Sequence, residues 1–149
     1  MEPAAKILMV FKKVSRLMGN QFEISVVADD ETWALERIEE AIREIRRIEK
    51  LLTTYDEQSE TNRINQAAGI APVQVSAETV QLIQRAIRIS DLTQGAFDIT
   101  YGSVDKRLWN FDAAMTALPD AKTAKRMVRL INYRNIIVDP QAQTVFLKE

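Results

Sequence analysis

The sequence predicts an α+β fold, a mixed or antiparallel sheet packed against one long amphipathic helix and further helices. Three observations carry that prediction. Residues 20–28 alternate apolar and polar side chains at the strand period, residues 30–53 repeat apolar side chains at the helical period, and two β-rich runs flank a turn at 139–143.

Taken in order, Phe22, Ile24 and Val26 alternate with Gln21, Glu23 and Ser25 before the run closes on Val27 and Ala28, as in a half-buried strand. Asp29 and Asp30 are candidate N-caps, and Glu31 falls in the first turn, where a carboxylate suits the positive end of the helix dipole. Ala34, Leu35, Ile38, Ala41, Ile42, Ile45, Ile48 and Leu52 then recur at three- and four-residue steps, which makes residues 30–53 an amphipathic helix. Residues 54–72 are polar and largely aperiodic, a long loop with one helical turn near 59–65, closed by Gly69 and Pro72.

Val73 and Val75 make a short strand. Ser76 caps a second helix over about 77–93, with Val80, Ile83, Ala86, Ile87 and either Ser90 or Leu92 inward. Gly95 stands as the residue after its C-terminus, where a positive φ is needed. Pro119 and Asp120 open a third helix, about 120–130, carrying Ala124, Met127, Val128, Leu130 and Ile131. Residues 135–138 and 144–147 then form a hairpin about Asp139-Pro140-Gln141-Ala142-Gln143. No repeat, low-complexity tract or linker divides the 149 residues, so they read as one domain.

Composition narrows the chemistry. An apolar share of 46% with 28% charged residues belongs to a folded chain. A net charge of −1 sets up no field for nucleic acid, which is not expected as a partner. Arg43, Arg46, Arg47 and Lys50 are interleaved with Glu, the pattern of a solvated helix face. There is no Cys and no His, which excludes disulfides, thiolate nucleophiles, imidazole shuttles and His-bound metals. Catalysis would have to run on carboxylates, Lys, Tyr, hydroxyls or backbone, or on a metal held by oxygen ligands. The apolar run at 7–11 stops at Lys12-Lys13, short of a signal-peptide core or a membrane span. The expected compartment is cytoplasmic as written, with a periplasmic or membrane-anchored site open if a targeting segment has been removed.

Three clusters hold candidate chemistry. Arg16-Leu17-Met18-Gly19-Asn20 precedes the first strand, where Met18 also fits as gap-filling core beside a glycine-assisted strand start. Thr53-Thr54-Tyr55-Asp56 with Ser59-Glu60-Thr61-Asn62-Arg63-Ile64-Asn65 makes a polar loop that also fits as solvated surface. Residues 93–111 crowd Phe97, Tyr101, Trp109 and Phe111 with Gly95, Gly102, Asp98 and Asp105. Rings beside a carboxylate at a glycine bend suit a planar heterocycle, and equally a packed aromatic corner. None of the three is a nucleotide motif: no GxGxxG follows a strand and no GxxxxGK[ST] is present.

In their order and spacing these segments resemble the flavin transferases of the ApbE family. Met18-Gly19, Thr54-Tyr55-Asp56 with Ser59-Glu60, Asn62 and Asn65, the Thr93-x-Gly95-Ala96-Phe97-Asp98-Ile99-Thr100 run, and Leu108-Trp109 with Pro119 carry the resemblance over nearly the whole chain. It implies an α+β, ApbE-like flavin-binding fold and FAD:protein FMN transferase activity. FAD is then the substrate, Mg²⁺ the metal and a flavin-acceptor protein the partner. FMN passes to a Thr or Ser hydroxyl of the acceptor and AMP leaves. Negative charge on the pyrophosphate would be offset by a cation on carboxylates, chemistry that needs neither His nor Cys.

Residue by residue, the resemblance makes Met18, Tyr55, Ala96, Phe97 and Asp98 the flavin contacts. Tyr55 would lie at the isoalloxazine ring, Ala96 and Phe97 would supply backbone and packing, and Asp98 a polar contact. Glu60, Asn62 and Asn65 would organise the loop. Asn20 stands where many members have Thr. No catalytic residue is assigned, and the Mg²⁺ ligands are expected mostly outside this chain. The family continues into a glycine-rich and then a metal-binding segment that nothing in residues 112–149 resembles. Residues 1–149 therefore correspond to the N-terminal portion of such a domain, with the missing C-terminal half as a further partner. The isolated chain is expected to bind FAD in part at best and to transfer no FMN. The alternative is a non-catalytic FAD-binding or FAD-hydrolysing relative, and a structural module that has lost the ligand also remains open.

Overall fold

A computed structural model describes residues 7–103 and 120–149, and its contacts divide the chain into two compact units, Met1–Asn62 and Arg63–Glu149. In the first unit β1 (Met9–Leu17) pairs antiparallel with β2 (Asn20–Ala28), from Met9 opposite Ala28 to Leu17 opposite Asn20. Met18 and Gly19 connect them with φ of 51° and 72°. Two central residues of positive φ are the mark of the type I′ turn, whose twist matches that of a paired ribbon. Helix α1 (Glu31–Leu52) comes next, capped by the Asp30 side chain, which accepts the Trp33 N–H at 2.8 Å. Its buried Ala34, Ile38 and Ile42 lie on the apolar face that the periodicity marks. Ile38 and Ile42 join Leu17 in one core, with Phe11, Phe22, Ile24, Val26 and Ile45 packed against it. Each fully buried Ile contributes about 1.5–3 kcal/mol, so the helix is held by this face rather than by propensity alone.

Strand β1 is a departure from the sequence expectation, which treats residues 7–11 only as an apolar run. Alternation is masked because the polar Lys13 and Ser15 share a strand face with Phe11 and Leu17, while Val10 and Val14 are exposed. Lys13 is accommodated there by an ion pair with Glu39 of α1, which holds the Glu39 carboxyl below its usual range. Met18 is likewise not gap-filling core: it occupies a turn and is 48% exposed.

Helix α2 (Glu60–Gln66) crosses the boundary in sequence. The second unit continues with β3 (Val73–Gln74), α3 (Ala77–Leu92), a 3₁₀ turn at Ile99–Ser103, α4 (Ala121–Val128), a 3₁₀ turn at Tyr133–Asn135, β4 (Ile136–Asp139) and β5 (Thr144–Leu147). The strands run in the order β3-β5-β4, with both pairs antiparallel. Ile64, Val75, Val80, Ile83 and Val145 form the core beneath them. Separate helical and antiparallel-strand segments give the α+β class that the sequence predicts.

The end of α3 redirects the chain. Ser90 is the inward residue, fully buried with its hydroxyl donating to the Ala86 carbonyl at 3.0 Å, whereas Leu92 is exposed. Gly95 N–H reaches back to the Ser90 carbonyl at 2.9 Å and Gln94 N–H to the Asp91 carbonyl at 3.1 Å. This is a Schellman cap, and its left-handed capping residue is Gln94, φ 54°, with Gly95 continuing at φ 85°. The sequence assigns the positive φ to Gly95 alone. Two successive left-handed residues turn the backbone sharply off the helix into residues 96–103.

Candidate functional site

The first unit carries the loop after α1. Ser59 is its hinge: the hydroxyl donates to the Thr53 carbonyl at 2.6 Å and accepts the Asn62 N–H at 3.1 Å, which caps α2. The Asn62 side-chain amide donates to the carbonyls of Thr54, at 3.0 Å, and Asp56, at 2.7 Å. The Asp56 carboxylate accepts the Gln58 N–H at 2.9 Å, and the Thr53 hydroxyl oxygen accepts the Tyr55 N–H at 3.2 Å. These polar side chains are thus spent on the loop's own backbone, the usual reason for such residues to gather in an ordered loop. The loop displays Tyr55, whose side chain is 92% exposed. An ordered loop presenting a whole aromatic ring is a stacking surface.

The second unit carries a cleft of ≈ 570 Å³ lined by residues 95–99, Tyr101, Gly102 and Ile131. That lies within the range of about 300–1,000 Å³ typical of small-molecule sites. Ala96, Phe97 and Asp98 of the expected site all line it. Phe97 presents its ring, 44% exposed. The N–H groups of this segment have other uses: Ala96 donates to the Thr93 carbonyl and Phe97 to the Thr93 hydroxyl oxygen, each at 3.1 Å. These donors shape the bend, and Phe97 offers the cleft its ring.

Asp98 is the organising carboxylate of the cleft. One oxygen accepts the Thr100 N–H at 2.8 Å and the Thr100 hydroxyl at 2.6 Å, and the other accepts the Tyr133 N–H at 2.9 Å. The Thr100 hydroxyl oxygen in turn accepts the Asn132 N–H at 2.8 Å. Beneath this, Tyr133 is buried, with Arg134 stacked 4.7 Å from its ring centre. Ile131, Asn132 and Tyr133 escape a sequence reading. They lie more than 30 residues downstream, and Ile131 reads there as one more apolar position of the third helix.

Met18 stands in the β1–β2 turn and Tyr55 in the α1–α2 loop, both in the first unit, while Ala96, Phe97 and Asp98 share the cleft of the second. Asp105, Leu108, Trp109, Phe111 and Pro119 lie outside the described residues. Another concavity, ≈ 460 Å³ along α1, is lined by Thr32, Leu35, Glu36, Arg37, Glu39, Glu40 and Arg43. Arg37 pairs there with Glu40 at 2.9 Å and with Glu36 at 3.5 Å, as on a solvated helix face. Among the described residues no three carboxylates gather where they could hold a metal ion.

Residues 18–149 match the model of the ApbE family. The chain belongs to the ApbE family. A relative from Klebsiella pneumoniae named FAD:protein FMN transferase is 31% identical over 140 residues, covering 94% of this chain and 43% of the relative. One of the same name from Salmonella typhimurium is 33% identical over 109 residues, covering 73% of this chain and 29% of its own length. This ApbE chain thus spans less than half the length of these curated relatives. Among solved structures, the ApbE protein of Thermotoga maritima superposes with a TM-score of 0.77 at 26% identity, over 93% of this chain and 45% of that one. The flavin transferase ApbE of Vibrio cholerae gives 0.75 at 23% identity, a likeness of fold. The match begins at Met18, the left-handed residue of the turn, and takes in the Tyr55 loop and the Gly95–Asp98 bend.

Proposed function

We propose that this chain is the N-terminal, flavin-facing portion of an FAD:protein FMN transferase domain. The observation that carries the reading is the aromatic-rimmed cleft at residues 95–102, built on the family's own motif segment in a chain whose curated relatives bear that name. Phe97 and Tyr101 supply ring surface, Ala96 the close approach of a small residue, and Asp98 a carboxylate with one acceptor position left after three internal bonds. By the family resemblance Met18 and Tyr55 are flavin contacts as well, and Tyr55 has an exposed ring face that can stack on part of a flavin.

In the reaction so assigned, a Thr or Ser hydroxyl oxygen of the acceptor protein bonds to the phosphorus of the FMN half. The bond from that phosphorus to the bridging oxygen breaks, AMP leaves with that oxygen, and the hydroxyl proton is released. The described residues bind and orient; none is assigned as nucleophile or base. They do not fit Mg²⁺ either. Asp98 faces N–H and O–H donors, and no three carboxylates converge among the described residues, so no step is routed through the metal. In this reading the metal ligands belong to the C-terminal half of the domain, and residues 1–149 alone transfer no FMN.

The test is to titrate FAD against the chain while monitoring flavin fluorescence, then incubate it with FAD, Mg²⁺ and an acceptor protein. Quenching with no covalent flavin on the acceptor by mass spectrometry is expected. Labelled acceptor would overturn the inactivity, FAD cleaved to FMN and AMP without labelling would replace transfer by hydrolysis, and unchanged fluorescence of a folded chain would remove the flavin site.

A further inference from the structure

The cleft has two walls that are far apart in sequence. One is the bend and 3₁₀ turn of residues 95–102, and the other is Ile131 at the end of the segment leading into the Tyr133–Asn135 turn. Two hydrogen bonds join them, and both depend on the Asp98-Thr100 pair. Tyr133 N–H donates to Asp98 across 35 residues at 2.9 Å, and Asn132 N–H donates to the Thr100 hydroxyl across 32 residues at 2.8 Å. Thr100 is the unusual member, because one hydroxyl serves both walls. It accepts from Asn132 and hands its own proton to Asp98 at 2.6 Å. A hydroxyl polarised by a carboxylate is a better acceptor for the next N–H, so the bonds strengthen one another.

We propose that Thr100 is a positioning residue for the flavin cleft, acting through Asp98 and the Asn132 amide to hold Ile131 at a set distance from Phe97 and Tyr101. The inference rests on the flavin-facing reading of the cleft and deepens it. The Thr100 hydroxyl gives its proton to Asp98 and accepts the Asn132 N–H, so both of these bonds are made within the protein. Its contribution is to fix the width of the slot, so that a planar ring entering it pays no further ordering of the walls. Thr100→Val keeps the shape and removes the hydroxyl, leaving the Asn132 N–H without its acceptor. Thr100→Ser keeps the hydroxyl.

The experiment measures FAD affinity by fluorescence quenching, the residual fluorescence at saturation, and backbone hydrogen exchange at Asn132 and Tyr133 on the full chain. The expected result is a dissociation constant raised about tenfold in T100V, as for loss of one part-buried hydrogen bond, and restored to within about threefold in T100S. In T100V the Asn132 and Tyr133 amides exchange faster without FAD, and the saturated complex is less quenched. T100V binding as tightly as wild type, or T100S losing as much as T100V, overturns the proposal. Wild type that leaves FAD fluorescence unchanged removes the flavin reading, while the exchange comparison still decides whether Thr100 joins the walls. Where T100V does not fold, wild type alone answers: FAD slows exchange at Asn132 and Tyr133 if the joined walls form the site, and no slowing overturns it.

Discussion

The Tyr133 hydroxyl donates to the Asp91 carboxylate at 2.7 Å, 42 residues away in sequence, from a ring only 4% exposed. The bond ties the last turn of α3 to the segment that forms one wall of the cleft. A carboxylate acceptor favours the protonated phenol, and burial acts in the same direction, so the Tyr133 pKa is raised from its ordinary 10.0 against the pull of Arg134. A folded-state pKa above the unfolded one means stability that is complete below pH 10.0 and is lost as pH rises through the higher folded value. Tyr133→Phe removes that component. In urea unfolding measured across alkaline pH, the variant is expected to be less stable at neutral pH and to decline less steeply above pH 10 than wild type. Parallel declines would refute the assignment.

Met18 holds a φ of 51°, a region that costs a residue with a Cβ about 1–2 kcal/mol. Met18→Asn is therefore expected to stabilise the chain by about 0.5–1 kcal/mol in denaturant unfolding, Asn-Gly being the favoured pair for this turn. Gly19→Val should cost about 1–2 kcal/mol. No atom lies within 4 Å of the added Cβ, so that loss reports backbone conformation and not a clash. If Met18 contacts flavin as proposed, Met18→Asn gains stability while losing FAD affinity, a separation that a structural methionine would not produce.

Tyr55 and Asn62 divide the same loop into display and support. Tyr55→Ala is expected to leave the unfolding midpoint nearly unchanged, because the ring is 92% exposed, and to weaken FAD binding about tenfold. Asn62→Ala removes the donors to Thr54 and Asp56 and should cost about 1–2 kcal/mol of stability. Calorimetry and FAD titration on the two variants test this directly. Equal stability losses would show that the ring is structural.

Ile38 is fully buried where α1 meets the β1–β2 ribbon. Ile38→Ala should destabilise by about 2–5 kcal/mol, through lost transfer free energy and the cavity left behind. Denaturant unfolding with an unchanged slope would confirm that the loss is one of packing.

Legibility in the residues depends on how many physical signals agree at each place. Over α1 and α3, period, cap and first-turn charge coincide, and the helices begin within a residue of the expected caps. β2 and the β4–β5 hairpin stand out for the same reason, by alternation and by a turn. β1 stays hidden because the polar Lys13 and Ser15 fall on the same strand face as Phe11 and Leu17, and the Glu39 that pairs with Lys13 is 26 residues away. The segment of the cleft from Gly95 to Asp98 is visible as a local motif. Its opposite wall, Ile131, and the amides of Asn132 and Tyr133 are not, because backbone N–H groups carry no sequence signature and their partners are set by the fold.

The two-residue Met18-Gly19 turn leaves the ribbon no slack. Every pair from Leu17 opposite Asn20 to Met9 opposite Ala28 is counted from that point. One residue inserted there and absorbed by sliding β2 would turn Phe22, Ile24 and Val26 away from Ile38 and Ile42 and bring Glu23 and Ser25 onto the helix. Length variation in this part of the family should therefore arrive in pairs of residues or as a bulge, so that the turn acts as a ruler for the unit it begins.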